Sequence, residues 1–466
     1  MSPPSPTDRR PKDRRPKGQR PRGQRLENQR LKDQGAMRIL HLSSLYPPHI
    51  VGGAERSVEH LAEELAGLGH TVAAACIERQ AEPKTVRNGV TVYRMAHHND
   101  FWLEDWAQHG RFARNAAKLK QQWNFAIAAD FGRVLDDFRP DVVNTHSLLD
   151  ISTLVWREAA RRDIPIVHTV CEYDLICGNA AMFKHGAPCT HWHLGCKVVN
   201  ASKQLTNRWV DAVASVGTRI LQTHVDHGLF RHLAPERRRV IYYSCTVPDG
   251  DPEARRRVDR SAKPMTFGYL GRINVEKGVG TLIDALAEIG SRAHATEGNP
   301  ASGGWRCLIA GQAMDDSIER FKAKAEGLPI EFVGWVDPKD FLTEVDVLVV
   351  PSFWAEPSPR TVYEAYAMGV PVIGADSGGI PELIGEDNAD WLFRAGDAPD
   401  LADRIRTVLA RGRASLPDER AFQHVLREST SERVAEKYLD LYAELLAERR
   451  GIAPEPSPAH GIHHGA

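Results

Sequence analysis

Two carboxylates and two cations are the first candidates for chemistry. Glu356 and Glu364 form a Glu-x7-Glu pair inside PSFWAEPSPRTVYEAYAMGVPVIGADSGGIPELI. Glu356 is expected in the loop after a buried strand and Glu364 about one turn into the next helix. Both then approach the carboxyl ends of the strands, where ligands bind in open α/β sheets. A carboxylate there can accept hydrogen bonds from sugar hydroxyls. Arg272 and Lys277 stand five apart in YLGRINVEKGVGTLIDAL, on a strand-to-helix loop. Two cations so placed can converge on a diphosphate beside the positive end of a helix. Gly52 and Gly53, in PPHIVGGAERSVEHLAEEL, sit where a strand turns into a helix. Paired glycines let the backbone approach a ligand closely, and the helix start offers free N–H groups to phosphate. The string is not the GxGxxG dinucleotide fingerprint. Taken singly, each feature has an ordinary alternative: a turn, a solvated charged loop, a surface glutamate. A glycosidase reading of the paired acids fits badly, because nothing resembles an acid and a nucleophile facing each other in a groove.

Two further constellations stand apart from these. Cys171, Cys177, Cys189 and Cys196, with His185, His191 and His193 among them, fall in CEYDLICGNAAMFKHGAPCTHWHLGCK. Thiols and imidazoles so dense could hold a structural zinc. No CxxC pair is present, however, and reduced cysteines in a loop are the alternative. In residues 101–125, Trp102, Trp106 and Trp123 interleave with Arg111, Arg114, Lys118 and Lys120. Aromatics with cations suit a lipid interface; a helix packed on its domain with a solvated basic face is the alternative.

The elements that must position these residues alternate. Strands are expected at Arg38–Ser43, Thr71–Ile77, Val90–Met95, Asp141–His146, Pro165–Val170 and Val213–Gly217, with helices such as Ala54–Leu68 and Ser152–Arg161 between several of them. A second series runs Thr266–Leu270, Arg306–Ala310, Ile330–Val333, Val347–Pro351 and Pro371–Ala375, separated by helices Thr281–Ile289, Asp316–Ala325 and Thr361–Met368. Such alternation means an α/β fold of doubly wound parallel sheets, here two Rossmann-like domains facing a central cleft. The expected divisions are a disordered basic tail (1–36), an acceptor domain (37–245), a linker rich in Pro and charge (246–264), a donor domain (265–430), a helix at 431–450 that crosses back to the first domain, and a disordered tail (451–466).

Composition bounds the function. The 466 residues carry 60 basic and 61 acidic side chains, which alone excludes a strongly basic nucleic-acid binder. Residues 1–36, a degenerate five-residue repeat, hold 11 Arg/Lys against 4 Asp/Glu. That leaves 49 basic and 57 acidic in the remaining 430. The tail has almost nothing apolar to offset its ordering entropy. Met37 opens the first strand directly, and the favoured reading is that translation starts there. No run reaches the roughly 18–20 apolar residues of a membrane span, and no secretory h-region follows the charged start. Seven cysteines in a long chain do not make a disulfide framework, so a reduced, cytoplasmic setting is expected, with the inner face of the cytoplasmic membrane as an alternative site.

In this order and spacing the three motifs resemble family-four glycosyltransferases of the GT-B fold, over roughly residues 37–450; GRINVEKG and the Glu-x7-Glu block carry the likeness. The closest resemblance is to bacterial enzymes of exopolysaccharide or lipopolysaccharide assembly. It implies transfer of a hexose-type sugar from a nucleoside-diphosphate donor, such as GDP-mannose or a UDP-sugar, to a saccharide or lipid-linked acceptor. It also implies retention of the anomeric configuration and no metal. By resemblance, Arg272 and Lys277 would bind the diphosphate and neutralise the leaving group. Glu356 would hold the transferred sugar, Glu364 the ribose, and His146, in PDVVNTHSLLD, would hydrogen-bond near sugar and acceptor. Gly52, Gly53, Gly271, Trp335, Arg360 and Thr361 would complete the donor site. One departure matters. The family usually has Phe-Gly two and three residues after the first Glu, and this chain has Ser358 and Pro359 there. Proline has no N–H to give the sugar, so the amides of Arg360 and Thr361 are the expected replacements. The only DxD string, Asp249-Gly-Asp251, falls in the linker, which disfavours a metal-dependent GT-A enzyme. A degenerate carbohydrate- or lipid-binding scaffold and a nucleotide-sugar 2-epimerase are the competing readings.

Overall fold

The computed structural model describes residues 35–49, 52–184, 186–189, 191–245, 260, 263–293, 304–313 and 317–452. The expected tails at 1–36 and 451–466 and the linker at 246–264 lie almost wholly outside the described residues, as does His185.

Apolar runs make the first sheet: β1 Arg38–Leu42, β2 Thr71–Glu78, β3 Glu82–Arg87, β4 Val90–Ala96, β5 Val142–Thr145 and β6 Ile166–Val170. A short hairpin, β7 Phe183–Lys184 with β8 Ala187–Pro188, interrupts the series before β9 Ala212–Ser215 and β10 Arg238–Val240. The sheet order is β10-β9-β6-β5-β1-β2-β4-β3. Every pairing is parallel except that of β3 with β4. Strands β1, β2, β5 and β6 are buried almost throughout, as parallel strands covered on both faces must be.

The second sheet comprises β11 Met265–Leu270, β12 Trp305–Ala310, β13 Ile330–Gly334, β14 Val347–Val350, β15 Val372–Ala375 and β16 Leu392–Phe393, in the order β13-β12-β11-β14-β15-β16. All its pairings are parallel. The last long helix among the described residues, Ser431–Arg449, packs Val434, Leu439 and Leu445 into one apolar cluster with Ile39 and Val72 of the first sheet. Its Tyr442 hydroxyl accepts from Asn144 at 2.7 Å, and Tyr438 meets Thr169 at 3.1 Å.

Periodicity did not identify β3, β10 or β16. β3 reads EPKTVR and is almost wholly exposed, so it has no apolar alternation. β10 and β16 have three and two residues. The antiparallel edge at β3 is therefore an addition to the expected all-parallel sheet.

Both sheets reverse direction beside their first strand. β2 and β4 lie on one side of β1 and β5 on the other; β12 lies on one side of β11 and β14 on the other. The carboxyl ends of strands flanking such a reversal leave a crevice, because their loops part in opposite directions. Helix Thr218–Asp226 joins the two halves: the Thr218 N–H donates to Glu382 at 2.7 Å and its hydroxyl at 3.0 Å. Tyr242 donates to the same carboxylate at 3.0 Å.

Candidate functional site

At the reversal of the second sheet the loops leaving β11 and β14 meet. Lys277 Nζ lies 2.5 Å from Glu356 Oε1, and each side chain is 13% exposed. The second oxygen of Glu356 accepts from Ser352 Oγ at 2.7 Å. The ammonium also lies 5.1 Å from the centroid of the Trp354 ring. A cation and a carboxylate are thus fixed as one unit with little freedom. Backbone sterics set the approach. Gly278 has φ +74, and a Cβ there would lie 1.9 Å from the Pro351 carbonyl oxygen. On the far side, Gly379 N–H donates to the Glu356 carbonyl at 2.8 Å.

The other donor-side candidates fall around this pair. Arg272 is exposed, and its guanidinium has no ion-pair partner among the described residues. Its own carbonyl accepts from Tyr269 at 2.5 Å. Gly271 directly follows β11, and Trp335 follows β13, the edge strand, where the side chain is 69% exposed. Glu364 sits on helix Arg360–Ala367 with Arg360 Nε 3.8 Å away. Burial raises its carboxyl above the usual range, against the pull of Arg360 and Arg56. Pro359 is the N-cap of this helix. A cap's missing N–H costs the helix nothing, and the first-turn amides of Arg360 and Thr361 have no intrahelical acceptor. Ser358 turns inward, within 2.7 Å of the Tyr363 hydroxyl.

Arg360 reaches further than its spacing foretold. Its Nη1 donates to Ser57 Oγ at 2.9 Å and to the Ser244 carbonyl at 3.4 Å, both in the first domain. A Cβ on Gly53 would lie 2.5 Å from Arg360 Cδ. Gly53 therefore gives room to an arginine that crosses the cleft. The Gly52 N–H is engaged by Glu55 Oε2 at 3.0 Å, the return half of a capping box.

His146 follows the end of β5, where it was expected, but it is buried rather than exposed to a ligand. It is 4% exposed, and its Nε2 lies 3.0 Å from His41 Nδ1 at the first sheet's reversal. Burial, with His41 and His168 beside it, drives its pKa well below the ordinary histidine value. Burial alone takes His41 to about 3. Both rings are therefore neutral at pH 7. His146 shares a small cavity with Ser57, Cys171 and Tyr243 beneath helix Gly53–Gly67.

The cysteine cluster does not assemble as a four-thiol site. Among the described residues no three His, Cys, Asp or Glu side chains are grouped closely enough to hold a metal ion. Cys171 lies in the cavity with His146, away from the other three. Cys177 and Cys196 hydrogen-bond to each other, which pulls the Cys177 thiol down to about 5.

Sequence reasoning missed His41, Ser352, Trp354 and an acidic group after β6. There Glu172 accepts from Ser147, and burial with Asp174 nearby pushes its carboxyl up to about 8. Tyr173 next to it is raised by burial and by Glu356 of the second domain, so this turn faces the site. Acids directly after an apolar strand, as in VCEYD, were the available signal.

Residues 52–244 match the family described as "Glycosyl transferase 4-like domain", and residues 264–411 match "Glycosyl transferases group 1". A relative named as an uncharacterised 42.6 kDa protein in the cps region of Klebsiella pneumoniae is 29% identical over 74% of this chain and 87% of its own length. Sucrose-phosphate synthase of Thermosynechococcus elongatus superposes with TM-score 0.64 at 18% identity, over 88% of this chain and 100% of that one. HepE of Anabaena, in its complex with UDP-glucose, gives TM-score 0.55 at 17% identity, over 89% and 99%. Two tandem Rossmann-like domains, each matched by a glycosyltransferase family, make this chain a member of the group 1, family-four-like glycosyltransferases with the GT-B fold.

Proposed function

We propose that this glycosyltransferase moves a hexose-type sugar from a nucleoside-diphosphate donor to a saccharide or lipid-linked saccharide acceptor in bacterial cell-surface polysaccharide synthesis, retaining the anomeric configuration. The observation that carries the reading is the Lys277–Glu356 pair at the reversal of the second sheet. One loop supplies a cation for the departing diphosphate and the adjoining loop a carboxylate for the sugar's hydroxyls. The half-buried setting strengthens both interactions and fixes them before charge develops, which is where electrostatic catalysis acts. Arg272, exposed beside them, adds a second cation. Glu364 takes the ribose, and the free first-turn amides of Arg360 and Thr361 donate in place of those lost at Ser358 and Pro359. Arg360, lying over Gly53, joins the two domains around the phosphates.

A relative in a cps region and a structural neighbour bound to UDP-glucose support a nucleotide sugar and a polymer product. Arg272 and Lys277 meet the leaving group's charge, so turnover is expected to survive chelation of divalent ions. The test is a panel of UDP- and GDP-sugars read by thermal shift and by release of nucleoside diphosphate, followed by NMR of the product anomer. At least one donor is expected to raise Tm and to be turned over, with an axial donor giving an axial product. If no common nucleotide sugar is bound, hydrolysed or transferred, the reading fails. An inverted product would contradict the retaining step alone.

A further inference from the structure

We infer that the outer face of the first domain formed by helices Arg111–Gln121 and Leu194–Val199, with the turns that follow them, docks this protein on an anionic lipid surface. The inference rests on the acceptor reading above only in that it supplies a lipid-linked acceptor with a location. The two helices pack side by side. Gln122 pins them: its Nε2 donates to the Val198 carbonyl at 3.3 Å and its Oε1 accepts from Ser202 N–H at 3.1 Å.

Exposed apolar side chains gather there. Eleven large hydrophobic residues are exposed among the described ones, and seven lie within residues 112–125 and 194–205. Phe112 is 89% exposed, Leu194 76%, Phe125 62% and Leu205 60%. Phe112 and Leu119 are seven apart and so share one face of their helix; Leu194 and Val198 are four apart and share one face of theirs. Such a patch on a lone surface marks an interaction site.

Charge decides the partner. Residues 111–125 and 186–209 contain seven Lys or Arg and no Asp or Glu, in a body that carries 49 basic against 57 acidic residues. Lys118 and Lys203 turn inward to the carbonyls of Gly178 and Asp174, and Lys120 pairs with Asp100 at 3.0 Å. Arg111, Lys197 and Arg208 remain exposed beside the apolar residues. Protruding apolar side chains beside exposed cations, on two segments that themselves carry no carboxylate, complement phosphate headgroups over acyl chains. The aromatics that insert are not the expected set. Trp102 is buried at 8% exposure and Trp106 lies under Lys118, whereas Trp123 is exposed alongside Phe112 and Phe125.

The test is co-sedimentation with vesicles of pure phosphatidylcholine and of phosphatidylcholine with phosphatidylglycerol, at low and high salt, using the full chain, a chain begun at Met37, and the variant F112S/L194S/L205S. The full chain and the Met37 chain are expected to pellet with the anionic vesicles only, and salt is expected to weaken them. The triple variant should lose at least about tenfold in binding while hydrolysis of a soluble nucleotide-sugar donor stays unchanged. Binding lost with residues 1–36 would overturn the inference by assigning it to the basic tail. Equal binding by the triple variant would overturn it too. So would a concentration-dependent dimer, or binding to duplex DNA, that the triple variant abolishes without lipid binding in the parent. Because donor hydrolysis is read separately, failure here is distinct from failure of the transferase reading.

Discussion

Lys277 and Glu356 form a half-buried ion pair whose partners are each costly to leave alone. Removing one strands a charge in a poorly solvated place, so single changes cost more than the pair contributes. Residue type and spacing made both positions legible, because each lies in the loop that follows a buried strand, Lys277 after β11 and Glu356 after β14. The contacts of Arg360 were not legible: it meets Ser57, 303 positions away, and no local spacing encodes that. The burial of His146 was not legible for a related reason, since its partner His41 lies 105 residues earlier on the neighbouring strand. The buried histidines carry a pH consequence. Burial lowers His41 and His168 to about 3 and His224 to about 4, from 6.5. In the unfolded chain these groups take up protons below 6.5, while in the fold they resist doing so. Stability from them is complete above 6.5 and is lost as pH falls toward the folded values, at up to about 1.4 kcal/mol per pH unit for each group. Thermal unfolding is therefore expected to show Tm falling between pH 6.5 and 4, with a shallower fall in His168→Asn. A flat profile over that range would contradict the buried, neutral assignment.

At the scale of elements, most parallel strands were legible because both faces are buried and the sequence is an apolar run. β3 was not, since an exposed edge needs no apolar residues and is defined by its ladder with β4 alone. The loop after β11 shows how elements position the site. Gly278 lets that loop touch the start of the loop after β14, at a distance no side chain tolerates. Gly278→Ala is expected to cost more than about 3 kcal/mol in denaturant unfolding, from backbone overlap in addition to a positive φ. Gly412 also has positive φ, +72, but a Cβ there would meet nothing within 4 Å. Gly412→Ala should cost about 1–3 kcal/mol, from its backbone region alone. Equal costs would mean that the loop approach is not tight.

The whole molecule places two reversal crevices opposite each other. The two series of strands were readable in sequence, but their apposition was not, because it depends on contacts between residues far apart in the chain. Glu382 concentrates three of them, on Thr218 and Tyr242. Glu382→Ala is expected to raise the radius of gyration in solution scattering and to raise KM for the donor about three- to tenfold, with a smaller change in kcat. Unchanged scattering and KM would show that the domains are held by other contacts.

The central claim is that Lys277 stabilises charge on a leaving diphosphate, and the most direct measurement is nucleoside-diphosphate release by Lys277→Ala, with the donor found by screening and with Tm recorded in parallel. Loss of that cation is predicted to lower kcat about a hundredfold or more in a protein that still unfolds cooperatively; a folded variant that turns over at the parent rate would contradict it.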